Sequence, residues 1–210
     1  MREISKLRTP LMIVGNRDKF AIESHISQAY SNLHFRALGF FVIHIKGQCY
    51  GVRSVDATML TCSFEKVKDR LGRRGRHLVP FATELDPGKI VDEFRDAVYA
   101  PDQDERLFFG IPHPEYLTLV RNSRMVWAPD GDEAFDDWSY VLQFDVGSNV
   151  RLIGFRSLAE GYHHDPETVS DLILDAEEFY SILQQWLEGF EKEWEASDKI
   201  TVIDDGTTRG

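Results

Sequence analysis

Basic residues are scarce in this sequence relative to acidic ones. Lysine and arginine number 24 against 35 aspartates and glutamates, so the formal net charge is −11 in 210 residues. This balance argues against a nucleic-acid-binding protein, which needs a basic surface to displace counterions from phosphates. It argues equally against attachment to an anionic membrane surface. An acidic chain instead attracts basic proteins or cations over long range, which speeds their association.

Cysteines and long apolar runs are also few. The two cysteines, Cys49 and Cys62, have no CxxC spacing and do not make a four-ligand zinc set. We expect both to be free thiols in a reducing compartment. The apolar run at residues 11–14 is too short for a signal peptide or a membrane span, so we expect a cytoplasmic protein.

Motifs of common enzyme classes are absent from the sequence, which has no glycine-rich phosphate loop, no GxSxG elbow and no HExxH motif. The one cluster that suggests metal chemistry is His163-His164-Asp165, since imidazole and carboxylate groups ligate divalent ions. Neighbouring side chains on a strand point in opposite directions, so such a site needs further ligands. We therefore predict no catalytic, cofactor-binding or metal-binding residues. A metal-dependent hydrolase that uses this cluster is the alternative.

The residues that are present predict a folded protein with an aromatic core, because 42% are hydrophobic and 12% aromatic. Short β-rich runs at 11–14 and 20–22 flank a Gly-Asn turn, and a longer run follows at 37–45. His44 alternates with isoleucines in that run, which predicts a solvated position on a strand with one wet face. The clearest hairpin joins 140–146 to 150–155, and short strands are also predicted at 116–120 and 169–174.

Three segments have helical periodicity. One ends at Gly72, and a second begins at Asp86-Pro87, a favourable cap and first residue. The third follows Asp175, with an apolar stripe that lasts about four turns. Its members are Phe179, Ile182, Leu183, Trp186, Leu187, Phe190 and Trp194. We predict an α+β fold with one domain over 1–196, a mainly antiparallel sheet, two central helices, a long C-terminal amphipathic helix packed on the sheet, and a flexible tail at 197–210.

An acidic segment lies between the strands of the second half. Five of the eight residues from 130 to 137 are carboxylates, and none of the eight is basic. One interpretation is a solvated turn; the other is a negatively charged partner-binding surface with aromatic anchors, a combination common in interfaces. The candidate partner-binding residues are Asp130, Asp132, Glu133, Asp136 and Asp137, with Trp127, Phe135 and Trp138 as anchors.

The segment MIVGNRDKFAIES, which begins at Met12, resembles the opening of the immunity protein 42 family of bacterial polymorphic toxin systems. The shared features are a strand that ends in Gly15, a polar turn with Asn16 and Asp18, and Phe-Ala-Ile at 20–22. The likeness extends to GFFVIHIKGQCYG, IVDEFRDAVY, NVRLIGFRSL and ILDAEEFYSILQQWLEGF, about three-quarters of the chain. Residues 102–137 and the tail after 195 are not matched.

The resemblance implies a cytoplasmic protein that binds and neutralises one cognate secreted toxin and protects the producing cell and its siblings. It implies no catalytic residues. From the acidic charge we add the hypothesis that the toxin has a basic active-site cleft, which the unmatched acidic segment contacts. A third interpretation is an adaptor or structural subunit with Trp127 and Trp138 in a homo-oligomeric contact; the sequence does not fix the oligomeric state.

Overall fold

The computed structural model describes residues 11–34, 36–101, 103, 105–128, 132–158 and 163–201. Within these ranges the chain forms twelve strands, four α-helices and one short 3-10 helix. In chain order the elements are β1 Met12–Gly15, β2 Phe20–Tyr30, β3 Ala37–Ile45, β4 Gln48–Tyr50, β5 Thr58–Met59, α1 Leu60–Gly72, α2 Pro87–Tyr99, β6 Leu107–Phe108, β7 Ile111–Pro112, α3 His113–Ser123, β8 Val126–Ala128, the 3-10 helix Glu133–Phe135, β9 Ser139–Val146, β10 Asn149–Ser157, β11 His164–Asp175, α4 Ala176–Ala196 and β12 Lys199–Ile200.

The first sheet, here the N-terminal sheet, has the order β1-β2-β3-β4, with β5 added to β3 and β12 parallel to β2. The predicted turn after the first strand is confirmed, and Gly15 has a φ of 99°. A Cβ at Gly15 would lie 2.4 Å from the carbonyl oxygen of Phe20, so only glycine fits there. Strand β2 continues to Tyr30, well beyond the predicted run at 20–22.

The solvated position predicted for His44 is wrong, because β2 and β3 are buried on both faces over most of their length. Only 7% of His44 is exposed, and its Nε2 lies 2.8 Å from Oε2 of Glu23. Alternation of polar and apolar residues usually marks one wet face. Here Arg17 and Arg53 meet the polar face and pair with Glu23, so the polar residues are buried with partners.

The second sheet, here the C-terminal sheet, has the order β11-β10-β9-β8. The predicted hairpin is confirmed as β9 and β10, which pair in register from Asn149↔Val146 to Arg156↔Ser139. Tyr50 joins the two sheets: its hydroxyl donates to the carbonyl of Thr168 at 2.7 Å. A Cβ at Gly154 would lie 2.4 Å from the Tyr50 ring, so this contact requires glycine in β10.

Helix α4 confirms the predicted C-terminal helix. The Asp175 carboxylate accepts from the backbone N–H groups of Glu177 and Glu178, which satisfies two donors of the first turn. The apolar stripe enters a core that also contains residues of β2, β3, α1 and one face of the C-terminal sheet. In this core Nε1 of Trp186 donates to the Ser24 hydroxyl at 2.9 Å. The helix therefore packs on the N-terminal sheet, as predicted.

Helices α2 and α3 cover the other face of the C-terminal sheet and form a second core with it. Helix α2 begins as predicted, with Asp86 accepting from the N–H of Gly88. The strand predicted at 116–120 is wrong, because these residues belong to α3. Proline in the first helical turn starts the helix. Tyr116 is then buried, with its ring centroid 5.4 Å from that of Phe81 and 5.2 Å from that of Phe108.

The α+β class and the terminal helix are thus confirmed, with three helices before α4 where two were expected. The tail prediction concerned residues 197–210. Of these, Lys199 and Ile200 pair with the end of β2, and residues 202–210 lie outside the described ranges. None of the helices described here is long and apolar enough to cross a membrane.

Candidate functional site

The acidic segment separates into carboxylates that hold the fold and carboxylates that face outward. Asp132 belongs to the first kind. Its Oδ1 accepts from the backbone N–H of Ala134 at 3.0 Å and so caps the 3-10 helix. Its Oδ2 forms an ion pair with Lys66 of α1, and the side chain is almost fully buried. The charge of Asp132 is therefore neutralised within the chain.

Asp137 also serves the fold. Its Oδ1 accepts from the backbone N–H of Ser139 at 3.2 Å, which fixes the turn into β9. Its Oδ2 lies 3.4 Å from Nε of Arg156, whose Nη2 also donates to the carbonyl of Cys49. Arg156 thus ties the acidic segment to the edge of the N-terminal sheet.

Glu133 and Asp136 are the outward-facing pair. Both are exposed, and neither has an ion pair in the part of the chain that the structure describes. Together with Asp56 they line a shallow groove of about 500 Å³, which we call the acidic groove. Its remaining lining residues are uncharged: Leu38, Val52, Ala57 and Met59. Three carboxylates without a basic neighbour among the lining residues give this groove a strongly negative potential.

Trp138 follows the acidic groove residues in sequence and is 49% exposed. Its φ is 66°, in the left-handed region that bulky side chains rarely adopt. The carbonyl of Trp138 accepts from the N–H of Ser157 at 2.9 Å, which extends the β9–β10 ladder by one bond. Leu158, which follows Ser157 in the chain, is exposed as well. A strained and exposed aromatic thus follows two unpaired carboxylates within a few residues of sequence.

The remaining predicted residues do not belong to this surface. Trp127 and Phe135 are 1% and 2% exposed and lie in the core below α4, so they cannot anchor a partner on the surface of this fold. The Trp127 ring packs against Phe20 and Phe179, at 6.2 and 6.0 Å between centroids. Asp130 lies outside the described residues. Of the predicted residues that the structure describes, Glu133, Asp136 and Trp138 are the ones exposed at the surface.

A buried carboxylate in the N-terminal sheet was missed by sequence reasoning. Glu23 is fully buried on β2 and has three partners. Its Oε1 accepts from Nε of Arg53 at 2.6 Å, and its Oε2 lies 2.6 Å from Nη2 of Arg17 and 2.8 Å from Nε2 of His44. The two guanidinium groups remain partly exposed. We call these four residues the Glu23 cluster.

The partners of Glu23 decide its protonation state. Burial by itself would raise its pKa. The hydrogen bonds from His44, Arg53 and Arg17 outweigh burial and lower the pKa of Glu23 to about 2. Glu23 is therefore a carboxylate at all physiological pH values, and it holds both arginines in place. Its position between Ala21 and His25 on one strand face could have been recognised from the sequence. If that face is buried, a charged residue on it requires partners.

The His163-His164-Asp165 cluster does not converge on one point. Nδ1 of His164 lies 2.8 Å from Oδ1 of Asp92 on α2. Asp165 instead accepts from the N–H of Glu167 at 3.1 Å, in a local turn. His163 is exposed. Among the described residues there is no group of three or more histidine, cysteine, aspartate or glutamate side chains that could hold a metal ion.

The candidate site is thus an exposed acidic surface, on an α+β fold with two main sheets and a terminal helix. The model of the immunity protein 42 family matches residues 12–189, and the chain belongs to this family. The match confirms the resemblance carried by the opening segment. It includes the acidic segment, which sequence reasoning could not align with the family. Family membership favours a toxin-neutralising, non-enzymatic role.

A solved structure has a similar fold. CdiI from Burkholderia dolosa AUO158 superposes with a TM-score of 0.54 and is 16% identical, covering 85% of this chain and 99% of that chain. At this level of identity the similarity concerns the fold alone. A comparison with curated proteins gives no match.

Proposed function

We propose that this protein binds a cognate secreted bacterial toxin by direct contact and neutralises it, protecting the producing cell and its siblings. The supporting observation is membership of an immunity protein family, together with an exposed acidic and aromatic surface. In this account the protein acts in the cytoplasm, without cofactor and without catalysis. Neutralisation then depends only on the affinity for the toxin and the rate of association.

The acidic groove and Trp138 form the proposed contact surface. Glu133 and Asp136 have no partner within the described chain, so binding a cation of the toxin would break no ion pair of this protein. Asp132 and Asp137 differ, because their charges are already paired. Exposed charges mainly raise the association rate, whereas a buried aromatic anchor mainly sets the lifetime of a complex.

Trp138 is the proposed anchor. Tryptophan is enriched among residues that dominate binding energy, and this one presents about half of its surface to solvent. Its positive φ costs of the order of 1–3 kcal/mol, which the surrounding fold must offset. Strain of this kind collects at binding sites, where it fixes a side chain in the orientation that the partner requires.

A toxin with a basic substrate cleft is the partner that fits this surface. The chain carries a net charge of −11, and the acidic groove contains no basic lining residue. Insertion of Trp138 beside the carboxylates would then exclude substrate from the cleft. The proposed steering is electrostatic, so it should weaken as salt is raised.

The test is co-expression with the cognate toxin. Cells that produce the toxin should grow with the wild-type protein and should stop growing with Trp138→Ala. Purified toxin should bind the wild-type protein directly in a titration. Growth arrest despite a folded wild-type protein, together with the absence of binding in vitro, would contradict the proposal.

A further inference from the structure

A second groove lies between α1 and α3. Its volume is about 510 Å³, and its lining includes Arg70, Arg121 and Arg124. We call it the arginine pocket. None of these three arginines forms an ion pair at contact distance in the part of the chain that the structure describes, although the charges of Asp69 and Asp145 act on Arg70 from further away. Unpaired arginines are unexpected in a chain of net charge −11.

Arg70 is the most unusual of the three, because it is only 5% exposed. Its Nη1 donates to Oε1 of Gln143 at 2.8 Å, a neutral amide oxygen. Its Nε is buried without a hydrogen-bond partner. A buried cation normally has an anionic partner, because desolvation is costly and neutral acceptors offset it only in part. The guanidinium also lies over the Trp127 ring, 4.9 Å from its centroid.

The remaining walls define what kind of molecule fits. Val120 and Val126 supply apolar surface beside the arginines, and Trp127, which is only 1% exposed, also borders the pocket. Two carboxylates and one lysine also line the pocket: Asp69 is paired with Arg73 at 3.0 Å, Glu65 is exposed, and Lys66 is paired with Asp132. These carboxylates repel a dianion more than a monoanion, because repulsion grows with charge. The pocket therefore favours a single negative charge on an apolar body.

We propose that the arginine pocket binds a carboxylate attached to an apolar group, with Arg70 as the buried counter-charge and Arg121 and Arg124 at the rim. A guanidinium donates two parallel hydrogen bonds to a carboxylate, which selects it over a neutral amide of the same shape. The carboxylate comes either from a small molecule or from an acidic residue of the toxin. The site itself does not depend on the proposed toxin neutralisation, since it is defined by this chain alone.

Benzoate and its neutral analogue benzamide are the probes, measured by isothermal titration on the full chain. Benzoate should bind the wild-type protein, and benzamide should bind at least about tenfold more weakly. Arg124→Gln should weaken benzoate by about tenfold as well. Arg76→Gln is the matched control, because Arg76 is exposed, carries the same charge and does not line the pocket.

Arg70→Lys tests the buried position, since it keeps the positive charge and removes the guanidinium that donates two parallel hydrogen bonds. It should lose benzoate while circular dichroism reports an intact fold. Should this variant fail to fold, Arg124→Gln carries the test, because that side chain is exposed and its backbone is unchanged.

Toxin affinity, measured on the same variants, identifies the source of the carboxylate. Weaker benzoate binding with unchanged toxin binding in Arg124→Gln assigns the pocket to a small molecule. Weaker toxin binding assigns it to an acidic residue of the toxin. If Arg124→Gln and Arg76→Gln behave alike toward both benzoate and toxin, the proposal is overturned. That result would leave the acidic groove and its role unaffected.

Discussion

Glu23 and Glu133 have the same side chain in opposite surroundings. Glu23 is buried with three cationic or hydrogen-bonding partners, whereas Glu133 is exposed and has no ion pair in the described chain. Partnered carboxylates connect elements of the fold, as Asp132 connects the 3-10 helix to α1. Unpartnered exposed ones remain available to another molecule. The comparison separates residues that maintain the structure from residues that we propose to bind the toxin.

The largest effect is expected from Glu23→Gln. It leaves Arg17 and Arg53 without their counter-charge and should lower the free energy of unfolding by about 3 kcal/mol at neutral pH. The matched control is Glu178→Gln, which breaks the exposed pair with Lys19 and should cost at most about 1 kcal/mol. Chemical denaturation measures both. Equal effects of the two variants would contradict the assignment of Glu23 as a structural charge.

The pH dependence of that difference sharpens the test. Because the pKa of Glu23 is lowered from 4.5 to about 2, its stabilising contribution is complete above pH 4.5. The contribution is lost as the pH falls from 4.5 through about 2. The stability advantage of the wild-type protein over Glu23→Gln should therefore shrink across this acidic range and stay constant above it.

Trp138→Ala is expected to have the next largest effect, on binding. It should weaken the toxin complex by about 2 kcal/mol, roughly 30-fold in Kd. Leu85→Ala, at another exposed apolar residue outside the acidic groove, should leave Kd unchanged. Trp138→Gly should bind as poorly as the alanine variant and be about 1 kcal/mol more stable than it, because glycine tolerates the positive φ.

Charge reversal at Glu133 and Asp136 should act mainly on the association rate. The double lysine variant should slow toxin association by about tenfold at low salt, with a smaller effect at high salt. Asp132 and Asp137 are left intact, because reversing them would break ion pairs of the fold. The control is Glu191→Lys with Glu195→Lys, which makes the same change in net charge on α4. A similar slowing in both would assign the effect to net charge rather than to the acidic groove.

Glu193 represents a third situation, a carboxyl that is largely buried with an unpartnered oxygen. Burial raises its pKa from 4.5 to about 7, although a hydrogen bond from the backbone of Ile26 opposes this. The contribution of protonated Glu193 to the free energy of unfolding is therefore fully present below pH 4.5 and is lost as the pH rises through about 7. Glu193→Gln should stabilise the protein by about 1 kcal/mol above pH 7 and less in acid. Thermal unfolding of the variant and the wild-type protein, measured above pH 7 and below pH 4.5, tests this.

Hydrophobic periodicity and helix-capping residues predicted most of the fold, because both signals depend only on residues that are close in sequence. The caps at Asp86 and Asp175 and the β9–β10 hairpin illustrate this. Helix α3 was missed because the short β-rich run at 116–120 is also compatible with a helix, which here buries Tyr116 and Ser123. Only contacts with Phe81 and Phe108 decide between the two, and these are distant in sequence.

The candidate site was predicted as a segment but not residue by residue. Sequence composition located the acidic run and Trp138, since charge and aromatic content are visible without a fold. It could not distinguish Asp132 from Glu133, because the Lys66 partner of Asp132 lies on α1. For the same reason Arg70 showed no signal in the sequence, where it is one of several basic residues of a helix.

Hydrogen exchange of the protein with and without bound toxin tests the central claim most directly. On binding, amides of residues 132–138 and 52–57, which border the acidic groove and Trp138, should become protected. Amides on the exposed side of α4 should be unchanged. Unchanged exchange at 132–138 in a saturated complex, with protection elsewhere, would contradict the claim that this surface binds the toxin.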